Sequence, residues 1–140
     1  MADAALPPGL DGEALQRALG IAPFHAWLGL RILSSGDGRL EIEMPWRDEI
    51  VSNPRIGSAH GGVLASLIDL AGMYAILTQT TAVSATAGLH VDYHRPATAG
   101  PIRVRSEVVK LGRSLSVASA ELFGPSERLV ASGRGSYLMR

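Results

Sequence analysis

Between Leu28 and Met44 apolar residues recur at every second position. Leu30 and Ile32 precede the run Ser35-Gly36-Asp37-Gly38, and Leu40, Ile42 and Met44 follow it, separated by Glu41 and Glu43. Alternation of period two on both sides of residues that tolerate positive φ predicts a β-hairpin. Four later runs, 88–94, 102–111, 115–123 and 129–138, read as further strands. Their separators are short: Arg95 to Gly100, Gly112-Arg113 and Gly124-Pro125-Ser126. Parallel neighbours need long crossovers, so an antiparallel meander is expected. Residues 61–78 have a different pattern, with Val63, Leu64, Leu67, Ile68, Leu70, Ala71, Tyr74, Ala75, Ile76 and Leu77 covering all sides of one helix. A helix apolar all round must be buried all round. Residues 46–59 are expected to form a loop, and residues 1–23 a peripheral arm with a short helical pattern around Glu13–Leu19.

One long helix and about six strands make an α+β chain, most simply a curved antiparallel sheet wrapped around a central helix. One such unit leaves a sheet edge and part of the helix uncovered, so a homodimer is expected. At 140 residues the chain fits one domain, spanning 1–140. The formal net charge is zero, so no electrostatic bias favours nucleic acid or a membrane surface. The absence of cysteine removes disulfides, thiolate metal sites and a cysteine nucleophile. The first residues carry acids and prolines where a secretory signal would carry a basic stretch and an apolar run. The expectation is a cytoplasmic protein.

From Arg55 to Asp92, Asp69 is the one residue between them with a formal charge, and it lies mid-way along the most apolar helix. Burying a lone carboxylate is costly. Its face, three, four and seven positions away, holds Gly62, Ala65, Ser66, Gly72, Met73 and Ile76. The small residues upstream leave a gap beside the acid, and no basic residue at helical spacing pairs with it. Gly62, Ser66 and Met73 therefore become candidate substrate contacts. His60-Gly61-Gly62 opens the helix, where unpaired N–H groups and the dipole favour a developing anion. His90 and His94 are four apart, about 13 Å on a strand, which argues against a metal site. Arg95, Arg103, Arg105, Lys110 and Arg113 are candidates for phosphate contacts. Phe24, Trp27 and Trp46 read as core or interface. No Gly-x-Ser-x-Gly elbow is present.

The run from Gly57 through Ser58-Ala59-His60-Gly61-Gly62 to Asp69-Leu70-Ala71 resembles the helix motif of hotdog-fold thioesterases of the PaaI-like (phenylacetic acid degradation) type. Leu89 to Ala97, ending in Tyr93-His94-Arg95-Pro96, is similar to that family's strand and Arg-Pro turn. Lys110-Leu111-Gly112-Arg113-Ser114 is similar to its next hairpin. The resemblance implies hydrolysis of acyl-CoA thioesters, with no cofactor beyond the coenzyme A carried by the substrate. It implies a homodimeric unit, often paired into a tetramer, with active sites at the subunit interface. Asp69 would act as general base or nucleophile, and the Gly61 N–H would polarise a thioester carbonyl held by the other subunit. His60 would flank the site, and the Thr86 hydroxyl would assist the carboxylate or the water. The family's Asn commonly stands six residues before the histidine. Here Asn53 stands seven before His60, and a one-residue bulge would restore its place. Two alternatives on the same scaffold are an enoyl-CoA hydratase or dehydratase and a non-catalytic acyl-CoA-binding module.

Overall fold

The computed structural model describes residues 4–140. Helix α1 (Gly12–Ile21) starts at Asp11, whose carboxylate accepts from the Ala14 N–H at 2.9 Å. Helix α2 (Pro23–Leu28) follows after one residue, with proline in its first turn, and ends at Gly29, a left-handed position with φ 70°. The N-terminal arm thus holds two helices where the sequence pattern suggested one. Leu15, Leu19 and Leu28 anchor it in the main core.

Strands β1 (Arg31–Gly36) and β2 (Arg39–Met44) form the expected hairpin. Its two-residue loop, Asp37-Gly38, has φ of 53° and 78°, the mirror-image turn that matches strand twist. The 46–59 segment is not all loop, since β3 (Val51–Asn53) and β4 (Ser58–Ala59) make a small antiparallel pair. Helix α3 (Gly61–Leu77) runs as read from the sequence. Strand β5 (Val83–Tyr93) begins five residues earlier than its apolar pattern does, taking in the Thr/Ala/Ser stretch. Strands β6 (Ile102–Lys110), β7 (Leu115–Phe123) and β8 (Leu129–Met139) complete the chain.

Six strands form one antiparallel sheet in the order β1-β2-β6-β7-β8-β5. Only β6, β7 and β8 form the expected meander. Strand β5 does not pair with β6 but crosses to the far side of β8, so the 94–101 link spans the end of the sheet. A short separator here connects strands that are not neighbours in the sheet. Alternation places Leu40, Ile42, Met44, Ile102, Val104, Ala120 and Leu122 against α3. Burial of these side chains is the main force holding helix to sheet.

Helix α3 is buried on most sides through Leu64, Leu67, Ile68, Leu70, Ala71, Tyr74, Ala75 and Ile76. It is not buried all round. A stripe comprising Ala65, Ser66, Asp69 and Met73 is half-buried, and Gly62 is exposed. Strand β5 is the sheet edge beside it, with Leu89 39% and Tyr93 53% exposed. Among the described residues no helix is long and apolar enough to cross a membrane.

Candidate active site

Asp69 sits on the open stripe of α3 and is half-buried. The Thr86 hydroxyl donates to its Oδ1 at 2.7 Å. Thr86 reaches it from β5 at a ladder irregularity between Thr86 and Gly88, opposite Tyr137 on β8. The Tyr137 hydroxyl donates to the backbone carbonyl of the same Asp69 at 2.8 Å. Asp69 is therefore tied by its side chain to one strand and by its main chain to the next. Burial, and then the negative charge of Asp69, push the Tyr137 phenol well above its ordinary range. It remains a neutral donor.

The start of α3 assigns its donors one by one. His60 is the N-cap, and its Nδ1 accepts from the Gly62 N–H at 2.8 Å. That bond puts the ring hydrogen of a neutral imidazole on Nε2. Val63 and Leu64 both turn to the His60 carbonyl, at 3.0 and 3.4 Å. Among the described residues, Gly61 alone in the first turn keeps an N–H without a partner. Tyr93 steadies this end from β5, donating its hydroxyl to the Gly61 carbonyl at 2.8 Å. A hollow of about 320 Å³ opens beside Gly61, walled by Leu64, Tyr93, His94 and Arg95.

Other candidates fall in mixed positions. Ser66 back-bonds to the Gly62 carbonyl at 2.9 Å, beside the acid. Met73 is half-buried and packs against the core. Asn53 is exposed, and its Oδ1 accepts from the Arg55 N–H at 3.1 Å, an Asx turn. The register shift of the β3–β4 ladder lies between Val51 and Asn53, before Asn53 and not between it and His60. Arg95 donates to the Leu129 carbonyl at 2.8 Å. Arg113 is exposed on the β6–β7 turn. Arg103 and Arg105 bond to Glu41 and Glu127 on the outer face of the sheet, which takes them out of the set of free phosphate ligands. His90 and His94 take separate partners, Asp92 and Ser132. Phe24 and Trp27 are surface rings stacked at 6.5 Å, so neither is core. Roomier hollows of about 450 and 530 Å³ lie on the outer sheet face, lined by charged residues and serines, and neither includes Asp69.

Two neighbours of the site, Tyr137 and His25, were not singled out from sequence, and Tyr93 stood there only as part of the Tyr93-His94-Arg95-Pro96 turn, with no role at the site. His25 on α2 packs edge-on against Tyr74 at 6.2 Å and feels the charge of Asp69. Tyr137 had one signal, a glycine in the interior of α3. Gly72 costs helix stability unless something needs the space, and a Cβ there would lie 2.1 Å from the Tyr137 hydroxyl.

The model of the thioesterase superfamily matches residues 56–131, more than half of the chain and including both α3 and β5. The human acyl-coenzyme A thioesterase 13 is 30% identical over 79% of this chain and 81% of its own. A protein of Halobacterium salinarum, named only in general terms as an esterase, is 32% identical over 80% and 81%. An X-ray structure of a thioesterase-superfamily protein superposes with a TM-score of 0.86 at 39% identity, covering 92% of this chain and 98% of that one. The Escherichia coli PaaI protein, from the phenylacetic acid degradation operon, superposes with a TM-score of 0.75 at 28% identity, over 91% and 92%. A six-stranded antiparallel sheet packed on one long helix agrees with these matches, and the chain belongs to the thioesterase superfamily as a PaaI-like member.

Proposed function

We propose that the protein hydrolyses acyl-CoA thioesters at a site shared by two copies of the chain, with Asp69 from one and the Gly61 N–H from the other. The observation that carries this reading is a distance. Asp69 lies eight residue steps along the α-helix from Gly61, about 12 Å along the axis. One thioester carbonyl cannot touch both groups of a single protomer. Two copies resolve the mismatch. Strand β5 runs from Thr86, beside Asp69, to Tyr93, beside Gly61. Pairing two β5 edges antiparallel sets the Thr86 end of one strand by the Tyr93 end of the other. That brings Asp69 of each copy toward Gly61 of its partner, and it covers a sheet edge that would otherwise invite aggregation.

In this arrangement the thioester oxygen faces the free Gly61 amide at the positive end of α3. The Oδ1 of Asp69 is occupied by Thr86, leaving Oδ2 to accept a proton from water as the water oxygen bonds to the carbonyl carbon. Negative charge gathers on the carbonyl oxygen. Its collapse breaks the carbon–sulfur bond, and the coenzyme A thiolate leaves with the proton held on Asp69. The same carboxylate could instead bond to the carbonyl carbon first, and water would then release the acid. Arg95, beside the Gly61 hollow, and Arg113 are the cations proposed to meet the coenzyme's phosphates. The hydratase alternative is disfavoured by His60, whose Nδ1 is committed to the helix cap.

The test is thiol release from a panel of aromatic and medium-chain acyl-CoA esters, with Asp69→Ala as control. Cleavage by the wild type and not by the variant is expected. Binding of the esters without any thiol release would overturn the hydrolase reading in favour of a binding module.

A further inference from the structure

We infer that the Tyr137 hydroxyl is a positioning group for catalysis, holding the Asp69 carboxylate in register with Thr86; this rests on the reading of Asp69 as the reacting acid. Helix α3 is apolar on nearly every side, and apolar contact rewards burial without direction. Directional bonds must fix where along the sheet the helix stops. Two buried hydroxyls supply them. Ser106 on β6 donates to the Ala71 carbonyl at 2.7 Å, and Tyr137 on β8 to the Asp69 carbonyl at 2.8 Å. Only the second acts on the acid's own residue.

The molecule gives up two side chains to make room for this phenol. A Cβ at Gly72 would lie 2.1 Å from the Tyr137 hydroxyl, and one at Gly135 would lie 2.3 Å from it. Tyr137 is fully buried, so its hydroxyl has no solvent to fall back on. It also stands directly opposite Thr86 in the β5–β8 ladder. A shift of α3 against β8 would therefore move the carboxylate away from the one hydroxyl that orients it. The two bonds form a clamp, with the main chain of Asp69 held from β8 and its side chain from β5.

Tyr137→Phe removes the hydroxyl and keeps the ring. It should lower kcat about tenfold with KM within about twofold, the signature of a group acting in the transition state. Ser106→Ala breaks a bond of the same kind two residues along; it should lower Tm by a similar amount and leave kcat within about twofold. In a Thr86→Ala background, Tyr137→Phe should add little, because both act on one carboxylate. A readout independent of turnover is the Asp69 carboxyl carbon resonance in labelled protein, which should move in Tyr137→Phe and stay put in Ser106→Ala. Gly135→Ala, which keeps the phenol and displaces it, should repeat the Tyr137→Phe result and serves if that variant does not fold. Full kcat with an unmoved resonance, or an equal kcat loss in Ser106→Ala, overturns the inference. A wild type that cleaves no acyl-CoA would sink the hydrolase reading, while the resonance would still decide the clamp.

Discussion

Thr86 on β5 donates its hydroxyl to Asp69 on α3 at 2.7 Å, and this bond leaves one carboxylate oxygen for chemistry. A hydrogen bond to a charged group contributes about 1.5–3 kcal/mol, so Thr86→Ala should cost roughly 10- to 100-fold in kcat. Asp69→Asn removes the base itself and should cost about 10²–10⁴-fold. Thr86→Ala should also lower Tm by a few degrees through the lost bond. Asp69→Asn should lower it by less, since an amide oxygen can still accept from Thr86 and Asp69 is half-buried with no ion pair among the described residues. Steady-state thiol release and a melting curve on each variant check the ranking. Equal losses from the two would mean that Thr86 does more than orient the acid.

Gly61→Pro tests the amide donor with little structural cost. Proline is favoured at the first position of a helix, where its missing N–H bonds to nothing in any case. His60 before it is already extended, with ψ 128°, as a residue preceding proline must be. The ring would approach Tyr93, which lies 3.3 Å from the Cβ position of Gly61, so a small adjustment of that side chain is expected. If the Gly61 N–H stabilises the oxyanion, kcat should fall about 10²–10³-fold while the fold persists. Near-normal turnover in a folded Gly61→Pro protein would remove this amide from the mechanism.

How much of this was legible beforehand follows from which forces are local. The β1–β2 hairpin was readable because alternation and an Asp37-Gly38 turn both act within a few residues. Helix α3, its lone acid and its glycine entry were readable for the same reason. The place of β5 was not. Its polar start, Ser84 to Thr86, carries no alternating apolar signal, and its partner β8 lies some forty residues further on. Tyr137, and the contact made by Tyr93 though not the residue itself, stayed hidden because each acts through one hydroxyl on a carbonyl of a distant element, and no residue pattern encodes such a contact. The Glu41–Arg103–Arg105–Glu127 cluster was likewise unreadable, since its members come together only through strand register.

His25 gives the fold a pH dependence. Burial pushes its imidazole below the ordinary 6.5, outweighing the opposing pull of the Asp69 charge. Its Nδ1 is buried without a hydrogen-bond partner. The folded state therefore favours the neutral ring. As pH falls below 6.5 the unfolded chain takes up the proton first, so this contribution to stability is full above that point and is lost on acidification. His25→Phe keeps a ring against Tyr74 and removes the titration. Its Tm should fall less than that of the wild type between about pH 7.5 and pH 5. Parallel Tm–pH curves for the two proteins would show that His25 does not govern the acid limb.

Mixing two dead variants separates a shared site from a self-contained one. Let one protomer carry Asp69→Ala and the other Gly61→Pro. If each site draws Asp69 from one copy and Gly61 from its partner, a mixed dimer has one site bearing both lesions and one bearing neither. Random reassociation makes about half the dimers mixed, so roughly a quarter of the wild-type activity should return from two inactive preparations. A self-contained site predicts no recovery at all, because every protomer in the mixture keeps its own lesion. Partial denaturation and refolding of the mixture, followed by thiol-release assay against each variant alone, gives the answer. Recovery would also locate the pairing edge: breaking β5 with Leu89→Pro should then abolish the regained activity, since proline at an edge position blocks the strand pairing that brings the two halves together.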